Sequence, residues 1–205
     1  MIRAEREYRN LGRLEAGPEN ADSVTGYAST FDTYPLFEED GVTYYERIDR
    51  NAFAGADMSD VVFLRDHAGR VLARTKNGSI DLWVDDNGLG SKTDLSLTTA
   101  AREMAEDIRV GNYAQMSFSF VVERDHFEGR TRVIDAIKKL YDISAVAFPA
   151  NPYTEIGISA RDLFHGVMEQ ETAERLAREQ RERKRKALQT RIRILQEAST
   201  WKSEK

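Results

Sequence analysis

A chain of 205 residues with 40% apolar content can fill one core of roughly 150 residues and carry an appendage, but it cannot build two large domains. It has no cysteine, which excludes disulfides, thiolate zinc sites and a cysteine nucleophile and fits a reducing compartment. The net charge of −5 is unevenly spread: residues 161–205 hold twelve Lys and Arg against eight Asp and Glu, so that segment is +4 and residues 1–160 are −9.

So acidic a body is a poor ligand for a phosphate backbone, and it lacks the interleaved basic and aromatic residues of nucleic-acid modules, so no nucleic-acid partner is expected. The first nine residues, Met-Ile-Arg-Ala-Glu-Arg-Glu-Tyr-Arg, are charged where a signal peptide is apolar. No apolar run approaches the roughly eighteen residues of a membrane helix, so the expectation is a soluble, intracellular protein without a membrane partner.

Residues 23–31 are rich in β-branched and aromatic types and predict a first strand. Residues 32–41 contain Pro35 and several carboxylates and read as a surface loop. Val42 to Ile48 has strand composition again, and a short turn or helix follows near Asn51. Asp60 to His67 is an apolar run with a charged end, which predicts a buried strand emerging at a rim with His67 at its exit. Residues 69–75 and 79–84 are further strands, Asn77-Gly78 between them reads as a hairpin turn, and Asp85 to Gly88 marks another turn.

The period then changes. Ala101, Met104, Ala105 and Ile108 share one helical face, Thr98 or Thr99 can cap the first amides, and Gly111 suits the position after the last turn. This helix leads into Tyr113 to Val122, where strict alternation sets Met116, Phe118 and Phe120 on one face and Gln115, Ser117 and Ser119 on the other. A hydroxyl on a rigid strand backed by apolar side chains is what a serine nucleophile needs, provided a base reaches it. A charged hairpin around Gly129 and one or two strands over residues 131–148 follow, stopped by Pro149 and Pro152. From Arg161 to about Ala198 the chain is dense in Glu, Arg, Gln, Leu and Ala, which predicts a charged helical tail, either solvated or serving as an assembly arm.

Three histidines are available as a base: His67, His126 and His165. His126 lies in the charged hairpin and His165 in the tail, so His67 is the best placed. A metal-dependent hydrolase using Asp66 and His67 is a weaker reading, because neighbours on a strand point to opposite faces.

The segments Phe63-Leu-Arg-Asp-His67, Gly111 to Phe120 and Leu140 to Pro152, in this order and spacing, resemble the prohead maturation proteases of tailed bacteriophages, a family similar to the herpesvirus assemblins. The resemblance covers residues 23–159 and leaves the tail out. It implies an α+β fold, mainly an antiparallel β-barrel with flanking helices, with a serine protease domain over residues 1–160 and the tail over 161–205. Matched segment by segment, it implies His67 as general base, Ser117 as nucleophile and Asp142 as the acid that orients the imidazole. The family commonly has glycine at the position of Ser119, which makes Ser119 a rival nucleophile, and most often glutamate at that of Asp142. The assemblins use a second histidine there, for which His126 is the candidate.

The activity implied is endopeptidase cleavage of capsid or scaffold segments, and of the chain itself, inside the immature capsid in the host cytoplasm. No cofactor or metal is implied, and homo-oligomerisation is left open. A capsid-assembly or scaffolding protein that keeps the barrel without activity is the alternative.

Overall fold

The structure, a computed structural model, describes residues 6–17, 22–147, 164–166, 168–170, 172–186 and 188–190. In chain order its elements are β1 (Glu7–Ala16), β2 (Ser23–Thr30), β3 (Tyr34–Glu39), β4 (Val42–Ile48), β5 (Val62–Arg65), β6 (Ala68–Arg74), β7 (Ile80–Val84), β8 (Gly88–Asp94), α1 (Thr99–Arg109), β9 (Gln115–Glu128) and β10 (Thr131–Val146). By contacts the chain divides into Met1–Ile158 and Ser159–Lys205. In the second unit the described residues are helical. Pro149 and Pro152, at which the last strand was expected to stop, lie outside the described residues.

The long antiparallel pair β9 and β10 is the spine of the first unit. Hydrogen-bonded neighbours run β3-β4-β10-β9-β1-β2-β8-β7, while β5 pairs with β10 and with β6. This corrects the expected barrel: the sheet is strand-rich and mixed, two of its pairings are parallel (β10 with β4 and with β5), and it does not close on itself. Among the described residues of the first unit α1 is the only α-helix, so the flanking helices reduce to one.

α1 forms as its pattern predicts. The Thr98 side chain accepts a hydrogen bond from the Ala101 amide, the buried face is Ala101, Met104, Ala105 and Ile108, and Gly111 leaves the helix with φ 86°. That face joins a core with Met116, Phe118 and Phe120 from β9 and Ile134, Ile137, Leu140 and Ile143 from β10. Each large apolar side chain so buried is worth about 1.5–3 kcal/mol.

Two local expectations fail, and one strand goes unpredicted, for identifiable reasons. Residues 34–39 form β3 rather than a loop, with Leu36 and Phe37 buried and a register shift beside Pro35, which lets an edge strand accommodate a residue that cannot donate. Asn77-Gly78 does not join a hairpin: β6 pairs with β5 and β7 with β8. Thr75–Asn77 instead make a 3₁₀ turn closed by Gly78 at φ 76°, which redirects the chain. β1 was not foreseen at all, because it is charged and its alternation is broken by a register shift between Arg9 and Gly12. Gly12 is required at this crossing, since a Cβ there would lie 1.5 Å from the Tyr27 carbonyl oxygen.

Candidate active site

β9 and β10 place four polar side chains on one face by register alone. Ser117 lies opposite Ser144, and Ser119 opposite Asp142. Side chains directly opposite on one face of an antiparallel pair are within reach of each other. That face is not half-exposed as a simple alternating strand would be: Ser117, Ser119, Asp142 and Ser144 are all buried.

His67 arrives from a different direction. β5 runs parallel to β10, with Val62 to Arg65 beside Asp142 to Ala145, and Arg65 pairs with Ala68 across a two-residue turn. The turn residues, Asp66 and His67, have φ of 49° and 56°, the left-handed sign pattern of a type I′ hairpin turn. Aspartate and histidine are among the few non-glycine types that enter this region readily. Asp66 fastens the turn to the end of β10: its amide donates to the Ala145 carbonyl at 2.9 Å and its carboxylate accepts from the Ala147 amide at 3.2 Å. The Tyr113 hydroxyl adds a bond to Asp66 at 3.3 Å.

The turn delivers the imidazole between hydroxyl and carboxylate. Nδ1 of His67 is 2.6 Å from Oδ1 of Asp142, and Nε2 is 2.6 Å from Oγ of Ser117. With the carboxylate as acceptor, Nδ1 carries the proton and Nε2 presents its lone pair to the serine. The ring is 18% exposed, and the edge of Tyr8 lies on it at 4.7 Å between centroids. Ser117 is 1% exposed, and its hydroxyl has a second acceptor, the Arg9 carbonyl, at 2.9 Å.

Asp142 is held at both oxygens. Oδ1 accepts from Ser144 at 2.8 Å as well as from His67, and Oδ2 accepts from Ser119 and from the Arg6 guanidinium. Burial pushes this carboxyl up, but the bonds from His67, Ser119 and Ser144 and the neighbouring imidazole hold it below its ordinary value.

The three residues singled out by sequence are thus brought together; of the rivals, Ser119 joins Asp142 but not His67, and His126 lies elsewhere. Ser119 Oγ is bonded to Asp142 and to Arg6, with Nη2 at 2.7 Å. His126 stays in the hairpin, 2.9 Å from Asp135 and 3.2 Å from Glu128. Both ring nitrogens of His67 are engaged without Asp66, and among the described residues no group of three or more His, Asp or Glu is placed to hold a metal ion. Sequence reasoning missed Arg6 and Ser144. Ser144, two residues beyond Asp142, must share its face, so the strand period carried that signal; nothing in the sequence pointed to Arg6.

A strand-rich α+β fold holding a hydroxyl, an imidazole and a carboxylate in one hydrogen-bonded line has the layout used by serine hydrolases. The caudovirus prohead serine protease family matches residues 11–169, and the chain belongs to that family. A solved structure of the bacteriophage T4 capsid assembly protease, gp21, aligns with a TM-score of 0.41 at 10% identity, over 69% of this chain and 98% of that one. No curated protein matches the chain.

Proposed function

We propose that this chain is a serine endopeptidase that cleaves capsid or scaffold segments, and itself, inside the immature phage capsid in the host cytoplasm. The observation that carries the reading is the continuous line from Ser117 Oγ through His67 to Asp142, with 2.6 Å on each side of the ring. Asp142 fixes the tautomer, His67 Nε2 takes the proton of Ser117 as its oxygen attacks the peptide carbonyl, and the imidazolium returns that proton to the leaving amine. Water then attacks the acyl-enzyme with His67 again as base. Residues 1–160 are the protease domain and 161–205 an assembly arm, whose helical, charged segments suit docking to other capsid components.

A second reading, a capsid-assembly protein without activity, draws on the burial of Ser117 and its bond to the Arg9 carbonyl. Incubating the purified chain separates the two. The peptidase shortens itself, reacts with a serine-directed fluorophosphonate at Ser117, and loses both properties in Ser117→Ala. An intact chain that stays unlabelled favours the assembly protein.

A further inference from the structure

We propose that Ser119 is a positioning residue for the triad: its hydroxyl, itself held by Arg6, fixes the free oxygen of Asp142 so that the other oxygen stays aimed at His67. The inference rests on the peptidase reading and adds a fourth side chain to it.

The argument begins with the freedom of the carboxylate. An aspartate on a strand can turn about its terminal torsion, which is broad and has no sharply preferred angle. Binding one oxygen alone therefore leaves the group free to swing. In this site Oδ1 carries the His67 and Ser144 bonds, and among the described residues the stops on Oδ2 are Ser119 and Arg6. Ser119 sits directly opposite Asp142 in the ladder and is fully buried, so its oxygen is fixed by the backbone register and not by a flexible side chain. Arg6, 38% exposed, donates to the same Ser119 oxygen through Nε at 3.0 Å and Nη2 at 2.7 Å. These two bonds occupy the acceptor side of that hydroxyl and leave its single proton to point at Asp142. The donors therefore converge on Asp142 from two sides: Arg6 donates to Ser119 and also directly to Oδ2, Ser119 passes its one proton to Oδ2, and His67 Nδ1 donates to Oδ1.

This also explains why Ser119 is not a second nucleophile. Its proton is committed to a carboxylate, and its oxygen lone pairs face a guanidinium, which lowers their nucleophilicity. His67 Nε2 is taken by Ser117, so no imidazole is left for Ser119.

Two measurements on the full chain test the proposal. In the first, fluorophosphonate labelling rates are taken for the wild type, Ser119→Ala, Asp142→Ala and the double variant, with peptide mapping of the label. Ser119→Ala is expected to slow labelling about tenfold, as loss of an oriented base does, while the label stays on Ser117. In the Asp142→Ala background the same substitution should change the rate less than about twofold, because a residue acting through a partner has no effect once the partner is gone. Independent, additive losses, or label found on Ser119 in the wild type or in Asp142→Ala, would overturn the inference. In the second, the low-field NMR signal of the His67 Nδ1 proton is followed. It should weaken or move upfield in Ser119→Ala, and an unchanged signal counts against the role. Because this signal reports the hydrogen bond and not turnover, it still judges the positioning claim if Ser117 in the wild type takes no label, an outcome that sinks the peptidase reading itself.

Discussion

Two buried polar clusters share strands β1, β9 and β10, and they are built on opposite principles. One is the line from Ser117 to Asp142. The other is an ion network centred on Glu46, which accepts from Arg9, from Arg132 at 3.0 Å and from the Tyr34 hydroxyl, while Glu7 bridges Arg9 and Arg132 at 2.6 and 2.7 Å and Asp125 binds Arg132 at 2.6 Å. In the network charge faces opposite charge. Burial works against each charge, but the opposite charges prevail, so Arg9 and Arg132 are pushed further up and Glu7 is held well below its ordinary value. These three groups therefore keep their charges near neutral pH. The triad, by contrast, has an imidazole between a hydroxyl and a carboxylate. Burial and hydrogen bonding are common to both clusters, so neither marks chemistry; a group able to accept a proton next to a hydroxyl does.

The largest expected effect would sharpen this division at the triad. Asp142→Asn should lower the labelling rate of Ser117 about 10³- to 10⁴-fold, the cost of presenting the imidazole in the wrong tautomer, with the fold retained by circular dichroism. The mirror experiment is Glu46→Ala, which takes the fully buried carboxylate away from two buried guanidinium groups and leaves them the partly exposed Glu7 and Asp125. It should cost about 3–5 kcal/mol in denaturant unfolding while leaving Ser117 reactive in the molecules that remain folded. If Glu46→Ala instead abolished labelling in folded protein, the two clusters would not be separable and the contrast would break.

A smaller effect probes access. Ser117 is buried, and Tyr8 lies across His67 from the same face. Tyr8→Ala should raise the labelling rate about threefold by opening that side to reagent. A fall in rate would mean that Tyr8 supports the imidazole more than it shields it.

What the sequence revealed about these clusters follows the range of the forces involved. Alternation along Tyr113 to Val122 assigned Met116, Phe118 and Phe120 to the core and set Ser117 and Ser119 together on the other face, because a strand's period is local. The helical face of Ala101, Met104, Ala105 and Ile108 was legible for the same reason. The partner of Ser119 was not, since it depends on the pairing register between β9 and β10, which contains several irregularities; only resemblance to a family pointed to Asp142. The ion network was invisible: Arg9, Glu46 and Arg132 read as surface charges until three strands bring them together. The open sheet was likewise beyond local pattern, because closure depends on which edges meet and not on how each strand reads.

The smallest expected effect uses the third kind of polar site, an exposed one. His126 is bonded to Asp135 and Glu128, and these two hydrogen bonds raise its affinity for a proton above the ordinary value of 6.5. A base whose folded pKa is raised contributes stability that is fully present below its unfolded pKa and is lost as pH rises through the folded one. The tip of the β9–β10 hairpin should therefore be held more firmly under mildly acidic conditions. Amide protection at residues 125–128 and 131–135, corrected for intrinsic exchange, should decline as pH rises above the ordinary 6.5 and through the raised folded value. His126→Gln should flatten that decline and leave the labelling of Ser117 unchanged, because the hairpin imidazole has no bond to the triad. Asp142 behaves with the opposite sign. Its lowered value gives a contribution present above the ordinary 3.8 of a free aspartate and lost only as pH falls through the folded pKa, so the two ends of the same strand pair loosen in opposite directions of pH.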